Sequence, residues 1–167
     1  GSRTVRAMDT EGLVGEAIFK IMPNISTVSP SQASVGTTIN LEGNGYGMTE
    51  TIFIIFAGNP TQISSDANGR FSGSFVVDSQ PYGTTTILCL GVNSSVVSRN
   101  YLLIIPKIIL ITPVSCSVGC VVSIIGAGFV PTDAITISFG TTPSVDNIVT
   151  SDMGTFSLEF TVDIQPY

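Results

Sequence analysis

Cys116 and Cys120 are the residues best placed for covalent chemistry, because they flank the short run Ser117-Val118-Gly119. A turn that brings two Cα atoms to about 5.5 Å suits a disulfide. So small a loop would stabilise the fold only at the low end of about 0–5 kcal/mol. Two independent small residues are the alternative. The third cysteine, Cys89, alternates with Ile87 and reads as a buried, inert thiol. Acid–base chemistry has little to work with, since the chain contains no histidine. No nucleophile motif, phosphate-binding glycine loop or zinc-type cysteine spacing occurs. Catalytic, cofactor and metal residues are therefore not expected, and the chain does not read as an enzyme. Asp66-Ala67-Asn68-Gly69 resembles the start of a calcium loop but lacks the closing bidentate Glu, so a hairpin turn is the reading. Lys20 and Lys107 could serve isopeptide chemistry with Asn, yet they do not occupy equivalent repeat positions and read as surface lysines. Two N-glycosylation sequons remain, Asn24-Ile25-Ser26 in an expected linker and Asn93-Ser94-Ser95 in an expected loop, while proline excludes Asn59-Pro60-Thr61.

The elements that carry these residues are repeated. Pro30 matches Pro113, Gly36 matches Gly119, and Gly43-Asn44-Gly45-Tyr46 matches Gly126-Ala127-Gly128-Phe129, always 83 positions apart. Ile52, Ile54 and Phe56 match Ile135, Ile137 and Phe139 at the same spacing. After a two-residue insertion Gly69, Phe71, Phe75 and Pro81 match Gly154, Phe156, Phe160 and Pro166. Cys116 and Cys120 stand where the first copy has Ala33 and Thr37, a paired substitution across one turn. The two ends of the chain also fit one internal stretch. Gln165-Pro166-Tyr167 repeats Gln80-Pro81-Tyr82, and Gly1 corresponds to the Gly83 that follows. Phe19, Ile21 and Pro23 match Leu102, Ile104 and Pro106. The sequence thus reads as one period of a longer array, opened inside a domain.

Composition narrows the class. Charged residues make up 11% of the 167, and the formal charge of −6 leaves no cationic patch for nucleic acid or an anionic membrane surface. No run approaches the roughly 20 apolar residues of a membrane-spanning helix, and insertion by this segment is not expected. Alternation of polar and apolar residues in Thr38–Glu42, Ala134–Phe139, Arg70–Phe75 and Thr155–Phe160 marks half-buried strands. Turn signals such as Asn68-Gly69 separate them. No helical periodicity appears. About seven short strands per copy imply a two-sheet sandwich, with Phe53, Phe56, Phe71, Phe75, Phe139, Phe156 and Phe160 mostly in its core.

The stretch from Thr27 through Ser29-Pro30, Val35-Gly36-Thr37 and Gly43-Asn44-Gly45-Tyr46 resembles the opening of IPT/TIG-type immunoglobulin-like repeats of prokaryotic surface proteins. The second copy keeps the pattern from Thr112-Pro113 to Phe129. The resemblance implies tandem all-β modules in extracellular stalks, adhesins, surface layers or filaments of bacteria or archaea, with no catalytic residues. Fold alone assigns no function.

Three segments are expected. Residues 1–22 form the last two strands of a domain, 23–105 a complete immunoglobulin-like domain, and 106–167 a domain lacking its last two strands, so that one domain is split across the termini. An open sheet edge of this kind needs a partner. Val5, Ala7, Ile18 and Ile21 are the apolar residues expected to pack into a neighbouring unit, with Tyr167 and Gly1 at the junction. The partners are copies of the chain, head to tail, joined covalently in an array or by strand complementation; the register, which closes without missing residues, favours the covalent array. A structural repeat unit of an extracellular filament, stalk or surface layer is the expected role. The alternative is an adhesin whose loops recognise glycan or protein; its loops are short and poor in aromatics.

Overall fold

The computed structural model describes residues 1–140 and 142–164, with side chains at all of these except 142–147. No helix occurs among the described residues, and hence none that is long and apolar enough to cross a membrane. The chain opens with an antiparallel hairpin, β1 (Ser2–Met8) and β2 (Val14–Lys20). Eight strands follow: β3 (Asn24–Ser29), β4 (Gln32–Ala33), β5 (Thr38–Asn44), β6 (Thr51–Phe56), β7 (Asn59–Ser64), β8 (Phe71–Val76), β9 (Gly83–Gly91) and β10 (Val97–Ile104). Five more strands close the described chain: β11 (Lys107–Thr112), β12 (Val121–Ala127), β13 (Ala134–Phe139), β14 (Thr142–Val149) and β15 (Phe156–Thr161).

Strands β3 to β10 make a β-sandwich of a three-stranded sheet, β3-β5-β8, and a five-stranded sheet, β4-β10-β9-β6-β7. The two-residue β4 brings its strand number above the seven expected. Alternation does the sorting. In β6 the residues Ile52, Ile54 and Phe56 point inward and are buried, while Thr51, Phe53 and Ile55 are half-buried on the other face. Phe53 therefore lies outside the core. Phe56 of one sheet stacks on Phe75 of the other at 4.7 Å between ring centroids.

Residues 106–164 repeat part of this plan. Their sheets are β11-β12-β15, corresponding to β3-β5-β8, and β13-β14, corresponding to β6-β7. Phe139 and Phe160 bridge the two sheets at 5.5 Å. The same backbone device locks both copies. Gly69 and Gly154 have φ of +71° and +64°, and an added Cβ would collide with the carbonyl of Tyr46 and Phe129, respectively. The described residues after Pro106 contain no counterparts of β4, β9 and β10.

The chain divides into two compact units, one of Gly1–Ser29, Asn40–Phe75 and Thr86–Tyr101, the other of Pro30–Ile39, Val76–Thr85 and Leu102–Tyr167. Strands β5, β8, β9 and β10 contribute residues to both.

Candidate functional site, an open sheet edge and an unpartnered hairpin

Among the described residues strand β13 is paired on one side only, with β14, whereas its counterpart β6 lies between β7 and β9. The consequence shows in exposure. Ile52 and Ile54 are wholly buried, but the matching Ile135 and Ile137 are only half-buried, as is Phe139. Ile108 of β11 is 42% exposed, against 4% for its counterpart Ile25. An apolar groove of about 280 Å³ opens between Ile108, Ile111, Ile124, Ile137, Phe139 and Phe160. A second apolar hollow of about 180 Å³ adjoins Pro113, Val114, Cys116 and Val162. Its rim is the loop that contains the disulfide Cys116–Cys120, with a Cα separation of 6.3 Å. That loop is tied to the end of β15 by Gly119 N–H to Val162 O and Val162 N–H to Cys120 O, both 2.8 Å. The first copy makes the same pair of bonds between Gly36, Thr37 and Val77, without cysteines.

The N-terminal hairpin is the second exposed feature. Every residue of β1 and β2 is exposed. Asp9 shapes its turn by accepting the N–H groups of Glu11 at 3.0 Å and Leu13 at 2.8 Å through Oδ1. At the open end Gly1 and Ile21 exchange two hydrogen bonds. The register sets Val5 opposite Ala17, Ala7 opposite Gly15 and Arg3 opposite Phe19, so Val5, Ala7 and Phe19 share one face, with Ile21 continuing it. The other face carries Thr4 opposite Ile18 and the exposed ion pair of Arg6 with Glu16 at 3.6 Å. Ile18 therefore does not join Val5, Ala7 and Ile21. Phe19 does, because side chains alternate strictly along a strand.

Two polar networks inside the first sandwich were not legible in the sequence. The carboxylate of Glu50 is 1% exposed and accepts four hydrogen bonds. They come from Gly47 N–H, Asn93 N–H at 3.0 Å, Ser94 N–H at 2.8 Å and Ser94 Oγ–H at 2.6 Å. Burial raises the pKa of the acid, but the donors of Ser94, Gly47 and Asn93 together hold it below the ordinary carboxylate value. The Tyr46 hydroxyl donates to the Cys89 carbonyl at 3.3 Å and bonds Ser98 Oγ. Burial is the main reason its pKa rises to about 12. Burial likewise pushes the free Cys89 thiol to about 12.

The remaining candidates are structural. Asn24 opens β3 opposite Asn44, so it belongs to a sheet edge and not to a linker; it is exposed, as is Asn93 in the β9–β10 turn. Asp66 organises the β7–β8 turn, accepting from Asn68 N–H and Arg70 N–H at 2.8 Å each. Lys20 and Lys107 are exposed. Among the described residues no three His, Cys, Asp or Glu gather as a metal site. Tyr167 of the expected junction lies outside the described residues, while Gly1 closes the hairpin.

No protein-family model matches the chain. No curated protein sequence matches it. Among solved structures it is similar to macromomycin, at 14% identity over 50% of this chain and 99% of that one, with a TM-score of 0.42. It is also similar to a chain of a calcium-stabilised adhesin that helps an Antarctic bacterium reach out and bind ice, at 11% identity over 95% of this chain and a TM-score of 0.34. The chain spans 48% of that adhesin chain.

Proposed function

We propose that this chain is a structural repeat unit of an extracellular filament, stalk or surface layer of a prokaryote, built from immunoglobulin-like sandwiches of the IPT/TIG type. Its role is mechanical and not catalytic. Residues 1–22 of one copy supply the last two strands of the sandwich begun by residues 106–167 of another. One observation carries this reading: β13 lacks the neighbour that β6 has, while a hairpin matching β9 and β10 stands exposed on both faces. Unpaired sheet edges with apolar side chains recruit strands. Continuation of the chain into a further copy places the hairpin in the groove, and so does docking of a separate chain. Either contact is heterologous, and its repetition builds a fibre. A disulfide in the rim and exposed sequons at Asn24 and Asn93 suit an oxidising exterior.

Sedimentation velocity of the full chain over micromolar to millimolar concentration, with electron microscopy of the largest species, tests the reading. Elongated assemblies that lengthen with concentration are expected. A monomer throughout, with freely exchanging β13 amides, refutes it.

A further inference from the structure

In the complete sandwich the Tyr46 hydroxyl is satisfied by two groups of the last two strands, the Cys89 carbonyl and Ser98 Oγ. Residues 106–164 carry Phe129 at the position of Tyr46, and the hairpin carries Gly15 at the position of Ser98. The two losses match. A groove without the hydroxyl faces a hairpin without the hydroxyl, so neither side buries an unpaired polar atom. The rings are placed alike: Tyr46 meets Phe71 edge-on at 5.3 Å, and Phe129 meets Phe156 edge-on at 5.3 Å.

Volumes shift in the same compensating way. Buried Ile87, Cys89 and Leu102 become Val5, Ala7 and Phe19, two smaller residues and one larger. The wider groove left by the first two is taken up by the aromatic ring. At the next position Gly91 has no room for a side chain, since an added Cβ would stand 2.6 Å from Glu50 Oε1. The hairpin has Asp9 there and the second copy has the shorter Asp133 in place of Glu50, so volume is relieved while two carboxylates face one another at this end of the joint.

We infer that the hairpin β1–β2 of another copy is the cognate occupant of the β13 groove, in a single register, with Phe129 against Gly15 as the pair that selects it. This rests on the assembly proposed above and adds its register and its specificity. The β6–β9 ladder pairs Ile54 with Cys89 and Phe56 with Ile87. Transferred to the joint, it sets Ala7 opposite Ile137 and Val5 opposite Phe139. On β2 the inward residues are Phe19 and Ile21, and Ile21 reaches the disulfide rim, because Ile104 lies opposite Ala33, the counterpart of Cys116. Ile18 stays on the solvent face. A hairpin of the β9–β10 type is rejected, because its Ser98 hydroxyl would meet the Phe129 ring with no acceptor.

A double-mutant cycle on the full chain tests this, read as the association constant from sedimentation. Gly15 has nothing within 4 Å of an added Cβ, and Phe129 is only partly buried in the free chain, so Gly15→Ser and Phe129→Tyr leave the unassembled fold intact. Gly15→Ser alone is expected to weaken association about tenfold through a buried unpaired hydroxyl, Phe129→Tyr alone to change it by less than about threefold because its hydroxyl can donate to the Ala7 carbonyl as that of Tyr46 does to Cys89, and the two together to restore it to within about threefold of the wild type by re-creating the Tyr46–Ser98 bond. Phe19→Lys is expected to abolish association and Ile18→Lys to leave it unchanged. If the wild type associates but the double variant is as weak as the product of the singles, or if Ile18→Lys abolishes association while Phe19→Lys does not, the register is refuted and the assembly stands. A wild type that never associates, or a link from Ala7→Cys to Ile137→Cys found only within one chain, overturns both.

Discussion

Truncating Ile54 and Ile137 to alanine makes one chemical change at two equivalent positions, and the structure requires it to have two different costs. Ile54 is wholly buried between sheets, so Ile54→Ala loses the transfer free energy of the removed carbons and leaves an enclosed cavity, about 2–5 kcal/mol in total. Ile137 is half-buried and already borders an open groove of about 280 Å³, so the same truncation forfeits only part of the transfer term and creates no new enclosed void. A cost of about 1 kcal/mol or less follows for the dilute chain. The assay is thermal unfolding at micromolar concentration, with hydrogen exchange at β6 and β13 to assign each transition. For modules of this size about 1 kcal/mol moves the midpoint by roughly 4–8 °C, so Ile54→Ala should lower its transition by at least about 8 °C and Ile137→Ala by far less. At concentrations where copies assemble as proposed, the cost at Ile137 should rise towards that at Ile54, because the joint would set Ala7 of another copy over the groove. Equal costs in the dilute chain, or a gap that assembly leaves unchanged, refute the reasoning.

Two further outcomes follow from the polar groups. Glu50→Gln should destabilise the first sandwich by about 1–3 kcal/mol, since an amide cannot accept from all four donors. The Glu50 pKa is lowered in the folded state, so its contribution is present above the unfolded carboxylate range and is lost as pH falls through the folded value. Denaturation measured from neutral to acid pH should therefore show the gap between wild type and Glu50→Gln shrinking as pH drops; a constant gap contradicts it. Native protein should show no thiol reactive to alkylation, because Cys116 and Cys120 are bonded and Cys89 is buried with a raised pKa, and one thiol should appear on unfolding without reductant.

The repeat was legible because its markers have no substitute. Gly69 and Gly154 sit at positive φ against a carbonyl, and only glycine fits there, so the spacing of glycines transmits the backbone plan directly. Alternation in β13 likewise declares an inward face, whereas the apolar run Ile52–Phe56 of β6 does not, which is why Phe53 is expected in the core yet lies outside it. The hairpin was harder. Ile18 and Phe19 are adjacent and both apolar, so composition cannot say which points inward; the pairing of Arg3 with Phe19 decides it, and that pairing depends on the length of the Asp9–Leu13 turn. Glu50 was invisible for a different reason. A single acid before a strand looks solvated, and the donors that hold it come from Gly47 nearby and from Asn93 and Ser94, 43 and 44 positions away.

The two hydrogen bonds between Gly1 and Ile21 also bear on how the proposed fibre would be built and repaired. They place both ends of the ribbon side by side, so the chain enters and leaves the hairpin at the same end. Such a ribbon can lie into a groove sideways, turn first or edge first, without anything being threaded past a closed loop. Whatever is attached before Gly1 or after Ile21 stays outside the groove throughout. Joining and parting two copies is then a topologically free step. Under the docking route of that proposal, a broken fibre would re-form from folded pieces, with no need to unfold either sandwich.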